Sequence, residues 1–160
     1  MKLHFPNIGG ITLSIVLCEL AGVLGSIFSF SAIPTWYAGL TKPALNPPSW
    51  IFGPVWTLLY LFMGIAVFFV WQRGWKKREG KIAIGVFCAQ LLLNTIWSLL
   101  FFGMRNPFYA LIDIVALWIL ILVTIVLFYR FSKPASALLV PYLAWVSFAL
   151  YLNYMLYALN

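Results

Sequence analysis

Five long apolar runs, separated by four polar or proline-rich breaks, organise this chain. The runs cover about residues 8–30, 50–71, 82–103, 107–129 and 134–159. Each is long enough to cross about 30 Å of hydrocarbon as a helix rising about 1.5 Å per residue. The pattern predicts an all-α integral membrane protein, a five-transmembrane-helix bundle forming a single domain over 1–160. The short breaks force neighbouring helices to run antiparallel. GMRNP reads as a tight turn with Pro107 in the first turn of the next helix, and RFSKP repeats that design with Ser132 as N-cap and Pro134 at the start of the fifth. QRGWKKREGK reads as a short, solvated, basic connector. No internal repeat is visible, which disfavours an inverted-repeat transporter.

The break between the first two runs is different in kind. WYAGLTKPALNPPSW, residues 36–50, is rich in tryptophan and proline and almost without charge. Prolines fix φ and remove donors, so a stiff, extended connector is expected rather than a helix. A rigid aromatic strap at the membrane surface suits the lid of a site for something flat and apolar.

Composition supports a lipid solvent: 64% of the residues are hydrophobic and 8% charged, with a mean hydropathy of +1.02. A soluble domain of this size cannot hide that much apolar surface. The first run is too long for a signal peptide and carries Glu19 at its centre. The net charge of +7 sits at the ends of runs and forms no basic domain, which excludes nucleic acid as the partner. Eight cationic residues (Lys2, Arg73, Lys76, Lys77, Arg78, Lys81, Arg130 and Lys133) fall on one side of an alternating five-span chain, and only Lys42 and Arg105 on the other. The positive-inside rule then puts the N-terminus in the cytoplasm and the strap outside, with a prokaryotic cell membrane as the expected location.

The only histidine is His4, and Cys18 and Cys88 both lie within spans, so no metal centre, disulfide framework or Ser/His/Asp set is expected. Polar groups inside spans should point inward. Gln90, Asn94 and Ser98 share one face of the third helix, flanked by Trp97. Trp56 and Tyr60 lie one turn apart on the second helix, as do Trp145, Ala149 and Asn153 on the fifth. Three helices can thus converge on an indole-walled cavity with a few amides, suited to a large planar ligand; a packed core with interfacial tryptophan belts is the competing reading. Glu19 and Asp113 are the acids within spans, read as protonated or hydrogen-bonded to a helix terminus or a Trp N–H. Gly85 and Ala89 form a small-x-x-x-small pair, open to two readings: packing within the monomer or a dimer seam.

These motifs resemble the TspO/MBR family, the tryptophan-rich sensory proteins related to the translocator protein (peripheral benzodiazepine receptor). The resemblance covers the whole chain: WYAGLTKPALNPPSW, FGPVWTLLY, QLLLNTIWSLLFFG and PYLAWVSFALYLN. It implies a five-helix bundle, usually a homodimer, with a pocket under the first connector for porphyrins such as protoporphyrin IX, for sterols and for drug-like ligands, and no required cofactor. By motif position it implies Tyr37, Pro47, Trp56, Asn94, Trp97, Trp145 and Ala149 as ligand-binding residues, beside Trp36 and Pro48 of the connector. It also implies Trp56 and Trp145 as the candidates if porphyrin is broken down. Ala158 stands where the sterol-recognition pattern of the animal members ends in a basic residue, which argues against tight sterol binding; Leu127, Tyr129 and Lys133 satisfy only the loose form of that pattern. The implied function is a receptor or sensor that regulates tetrapyrrole handling, with a light- and oxygen-dependent porphyrin-degrading enzyme or a porphyrin/sterol transporter as alternatives.

Overall fold

The computed structural model describes residues 8–160; Lys2 and His4, used above, lie outside them. The described residues form helices and connecting turns without strands. The spans are helix α1 (Ile8–Ala32), α2 (Phe52–Gly74), α3 (Arg78–Ser98) extended by a wide π turn (Leu99–Gly103), α4 (Pro107–Tyr129), and the pair α5 (Lys133–Leu138) and α6 (Val140–Leu159). Five segments are long and apolar enough to cross a membrane. The chain is a multi-pass membrane protein.

Three local features depart from the expectation. The basic connector has mostly become helix: α2 runs to Gly74 and α3 begins at Arg78, leaving only residues 75–77 between them. This hairpin closes so tightly that a Cβ on Gly80 would sit inside the backbone of Gly74. The fifth span is not one helix but two. Pro141 has no N–H to continue the ladder, and the axis breaks at Leu139. The strap is not wholly extended; it begins and ends in single 3-10 turns, Tyr37–Gly39 and Ser49–Ile51. The other turns follow the sequence. Asn106 Oδ1 accepts from the Tyr109 N–H at 3.1 Å and caps α4 ahead of Pro107, with Arg105 left-handed at φ 53°. Ser132 Oγ accepts from Ala135 N at 3.3 Å and caps α5.

α4 places Ala110, Ile114, Leu117, Ile121 and Phe128 in the core at helical spacing. It packs on α3, α5 and α6, while α1 packs on α2 and α3. Helices in lipid gain nothing from hiding apolar surface from one another, so close approach and hydrogen bonds must hold them. Midway along α2, a Cβ on Gly64 would meet Ile15 Cα of α1 at 2.5 Å: the two backbones are in contact there. Towards the strap, Gly22 of α1 lies against the ring of Tyr60. Beyond that ring α1 and α2 no longer close on each other, and a cavity begins. The outward faces carry Leu13, Leu17, Leu24, Ile112, Ile119 and Val126, as a lipid solvent allows.

Candidate functional site

The cavity occupies the strap half of the bundle and has a volume of about 460 Å³. Its walls come from α1 (Glu19, Gly22, Ser26, Ser29), α2 (Phe52, Gly53, Trp56, Tyr60), the end of α3 and its π turn (Trp97, Ser98, Phe101, Phe102), and α6 (Trp145, Ala149, Leu152, Asn153, Leu156). Tyr37, Ser49 and Trp50 of the strap cover it. Of the seven residues singled out by sequence, the structure brings Tyr37, Trp56, Trp97, Trp145 and Ala149 to this one cavity. Pro47 stays in the strap without lining it, its carbonyl accepting from Asn46 Nδ2. Asn94 lies beneath the floor, 3% exposed, and does not line the cavity.

Asn94 belongs to a buried hydrogen-bond chain. Tyr60 Oη donates to Asn94 Oδ1 at 2.7 Å, Asn94 Nδ2 donates to Tyr142 Oη at 2.7 Å, and Tyr142 Oη donates to Gln90 Oε1 at 2.8 Å. Gln90 Nε2 then points at Met63 Sδ, 3.9 Å away. The chain stitches α2, α3 and α6 together with its internal donors and acceptors satisfied, as buried polar groups require. Above it the rings pack at angles: Trp56 lies 5.7 Å from Tyr60 and edge-on to Tyr142 at 6.2 Å, and Phe52 is edge-on to Trp145 at 6.0 Å. On the opposite wall Trp97 stacks on Phe101 at 5.0 Å. The indole N–H of Trp97 donates to Asn153 Oδ1 at 2.9 Å, and Asn153 Nδ2 donates to the Pro107 carbonyl. The π turn swings Phe101 and Phe102 towards the cavity, the kind of local widening often found at functional sites.

The strap is fastened by contacts within itself and by the end of α6. Tyr37 Oη donates to Asn46 Oδ1 at 2.8 Å, and Lys42 Nζ lies 5.0 Å over the Tyr37 ring. Burial of Tyr37 raises its hydroxyl pKa above the usual value, and the bond to Asn46 partly offsets this. From the end of α6, Asn160 holds both backbone groups of Thr41, accepting from its N–H at 2.9 Å and donating to its C=O at 3.0 Å. The side of the cavity is less closed. Val23, Ser26, Trp50, Gly53 and Thr57 line it yet remain exposed, so the space between α1 and α2 opens towards lipid.

Of the two readings of the acids, protonated or hydrogen-bonded, the structure does not support the second. Neither Glu19 nor Asp113 bonds to a helix terminus or a Trp N–H among the described residues, and Asp113 Oδ2 is buried without a partner. No cluster of His, Cys, Asp and Glu there could hold a metal ion. Gly85 faces open space, so packing within the monomer does not account for it. Tyr142, Phe52, Phe101 and Phe102 were not singled out by sequence. Tyr142 was legible, since Tyr142, Trp145, Ala149 and Asn153 share one helical face. The reach of Phe101 and Phe102 depends on the π turn, which helical periodicity does not predict.

Residues 14–159 match the family model described as TspO/MBR family. The chain is 50% identical over 150 residues to the tryptophan-rich protein TspO of Chlorobaculum tepidum, covering 94% of this chain and 95% of that one. It is 38% identical over 146 residues to the translocator protein of Bos taurus, covering 91% and 86%. It is 38% identical over 125 residues to the tryptophan-rich sensory protein of Cereibacter sphaeroides, covering 78% and 77%.

Asn94→Leu keeps the volume but leaves the Tyr60 and Tyr142 hydroxyls without their shared partner. It should cost about 1–3 kcal/mol, the penalty for unsatisfied buried groups moderated by the lipid setting. Gln90→Leu, at the end of the chain, should cost less. Thermal denaturation in detergent measures both; equal melting temperatures for the two variants and the parent would show that the chain contributes nothing to stability.

Proposed function

The chain belongs to the TspO/MBR family, and from that premise we propose that it is a membrane receptor or sensor binding protoporphyrin IX and related planar tetrapyrroles under the strap, and so regulating their handling. The observation that carries this reading is the cavity itself. A volume of about 460 Å³ falls in the range of small-molecule sites, and its walls from three helices and the strap are rich in aromatic rings, which suit a planar apolar ligand. Stacking and shape, rather than metal coordination, would hold the ligand. Sterol is the weaker candidate, because Ala158 offers no cation at the end of α6.

A second reading is supported by one specific feature. Trp56 and Trp145, the easily oxidised side chains, both line the cavity, so light- and oxygen-dependent breakdown of bound protoporphyrin would have its electron donors in place.

Orientation and assembly complete the proposal. The eight-to-two distribution of cations supports a cytoplasmic N-terminus in a prokaryotic cell membrane. The open face at Gly85 supports a homodimer seam along α3. Cysteines placed at Asn46 and Lys77 should react with impermeant reagent from opposite sides, and Gly85→Leu should shift the light-scattering mass towards monomer. Labelling from one side, or an unchanged dimer mass, would contradict the corresponding part.

Bound protoporphyrin should quench tryptophan fluorescence. Trp56→Phe and Trp145→Phe should each weaken binding by about 0.5–1.5 kcal/mol, the worth of an aromatic pair. If the protein is a receptor only, the rate of porphyrin photobleaching should stay the same in these variants. If it degrades porphyrin, light-dependent loss of the Soret band should stop while binding survives. If neither affinity nor bleaching changes, the ligand is not in this cavity.

A further inference from the structure

The polar groups that line the cavity are mostly committed to the protein. Tyr60 Oη donates to Asn94 and Tyr37 Oη to Asn46. Trp97 Nε1 donates to Asn153, whose own amide donates to the Pro107 carbonyl. Ser26, Ser29 and Thr57 donate to carbonyls of their own helices. The groups without a hydrogen-bond partner among the described residues are the indole N–H groups of Trp50, Trp56 and Trp145, the hydroxyls of Ser49 and Ser98, and the carboxyl of Glu19. Glu19 is the one that can carry a charge.

Its position makes this costly. Glu19 lies about 17 Å from one end of α1 and about 20 Å from the other at about 1.5 Å per residue, too deep for a glutamate to reach either interface. No Lys or Arg stands in the central part of any span, and the described residues contain no ion pair to it. An unpaired acid at that depth is unfavourable unless something meets it. Asp113 is the useful contrast. It is walled in by protein and does not line the cavity, whereas Glu19 lines the cavity at its inner end, one turn below the contact of Gly22 with the Tyr60 ring.

We propose that Glu19 is the polar anchor of this cavity and selects ligands that present a nitrogen-borne hydrogen, a pyrrole N–H or a protonated amine, to its inner end. The proposal rests on reading the cavity as a site for planar ligands. The carboxyl accepts that hydrogen in surroundings of low polarity, where a charge-assisted bond is stronger than a neutral one. Ring stacking supplies the rest of the contact and does not depend on the nitrogen.

Pairs of ligands matched in shape test this. Protoporphyrin IX carries pyrrole N–H groups; its square-planar nickel(II) complex keeps the disc, loses those hydrogens and offers the carboxylate little axial affinity. The aminoacridine cation and neutral acridine form a second pair. The parent protein should prefer the member with the N–H by about tenfold or more. Glu19→Leu should lose the preference while still binding both discs, and Glu19→Gln, whose amide oxygen still accepts, should keep part of it. A preference confined to the porphyrin pair identifies a pyrrole-bearing ligand, and one confined to the acridines identifies an amine; both support the anchor. The same ratio in the parent and in Glu19→Leu, for both pairs, overturns it. Glu19→Leu should fold at least as stably as the parent, since it removes an unpaired acid, and a melting curve checks this. If protoporphyrin causes no tryptophan quenching at all, the porphyrin reading fails, while the acridine pair still decides the role of Glu19.

Discussion

The hydrogen-bond chain Tyr60–Asn94–Tyr142–Gln90 is the constraint on which the rest depends. In lipid there is no water to drive helices together, so their register must be set by contacts that hydrocarbon cannot replace. The chain is such a contact, and it joins three helices at one level. On the far side of that level, α1 and α2 touch backbone to backbone at Gly64 and Ile15. On the strap side, large rings at Phe52, Trp56, Trp97, Phe101 and Trp145 hold the helices apart. The cavity floor is therefore the boundary between two packing regimes, fixed by polar groups with little freedom to rearrange.

The strap then acts as a roof whose fastenings are local and specific. Asn160 holds the backbone of Thr41, and Tyr37 reaches Asn46. The opening between α1 and α2 has no comparable fastening; its rim is Ser26, Gly53 and Thr57. A hydrophobic ligand dissolved in the bilayer would meet that rim directly, as the proposed binding of planar apolar ligands requires.

Much of this was legible in the sequence, and the residues explain why. Five apolar runs give five spans because length and hydropathy alone decide whether a helix can cross hydrocarbon. Trp56, Trp97, Trp145 and Ala149 were found because helical spacing puts them on inward faces. The break at Leu139 was missed although Pro141 was visible, since a proline near a helix start is compatible with either one helix or two. Asn94 was expected at the ligand and lies instead beneath the floor: spacing fixes the face a residue shares, not its depth in the stack of side chains. The reach of Phe101 and Phe102 depends on a π turn, and the openness of the cavity on how tightly Gly22 and Gly64 let α1 approach α2. Both are properties of pairs of elements rather than of single ones.

Ligand bound in the strap half of the bundle would touch the indoles that line the cavity and not those at the far end. The chain has eight tryptophans, distributed between the cavity, the strap, the far end and the lipid face. Indole N–H signals in a nitrogen-15-labelled sample report each of them separately as protoporphyrin is added. The account predicts that the signals of Trp56, Trp97 and Trp145 shift or broaden while those of Trp71, Trp75 and Trp118 stay in place. Movement of Trp71 and Trp75, with Trp56 and Trp145 unchanged, would contradict it.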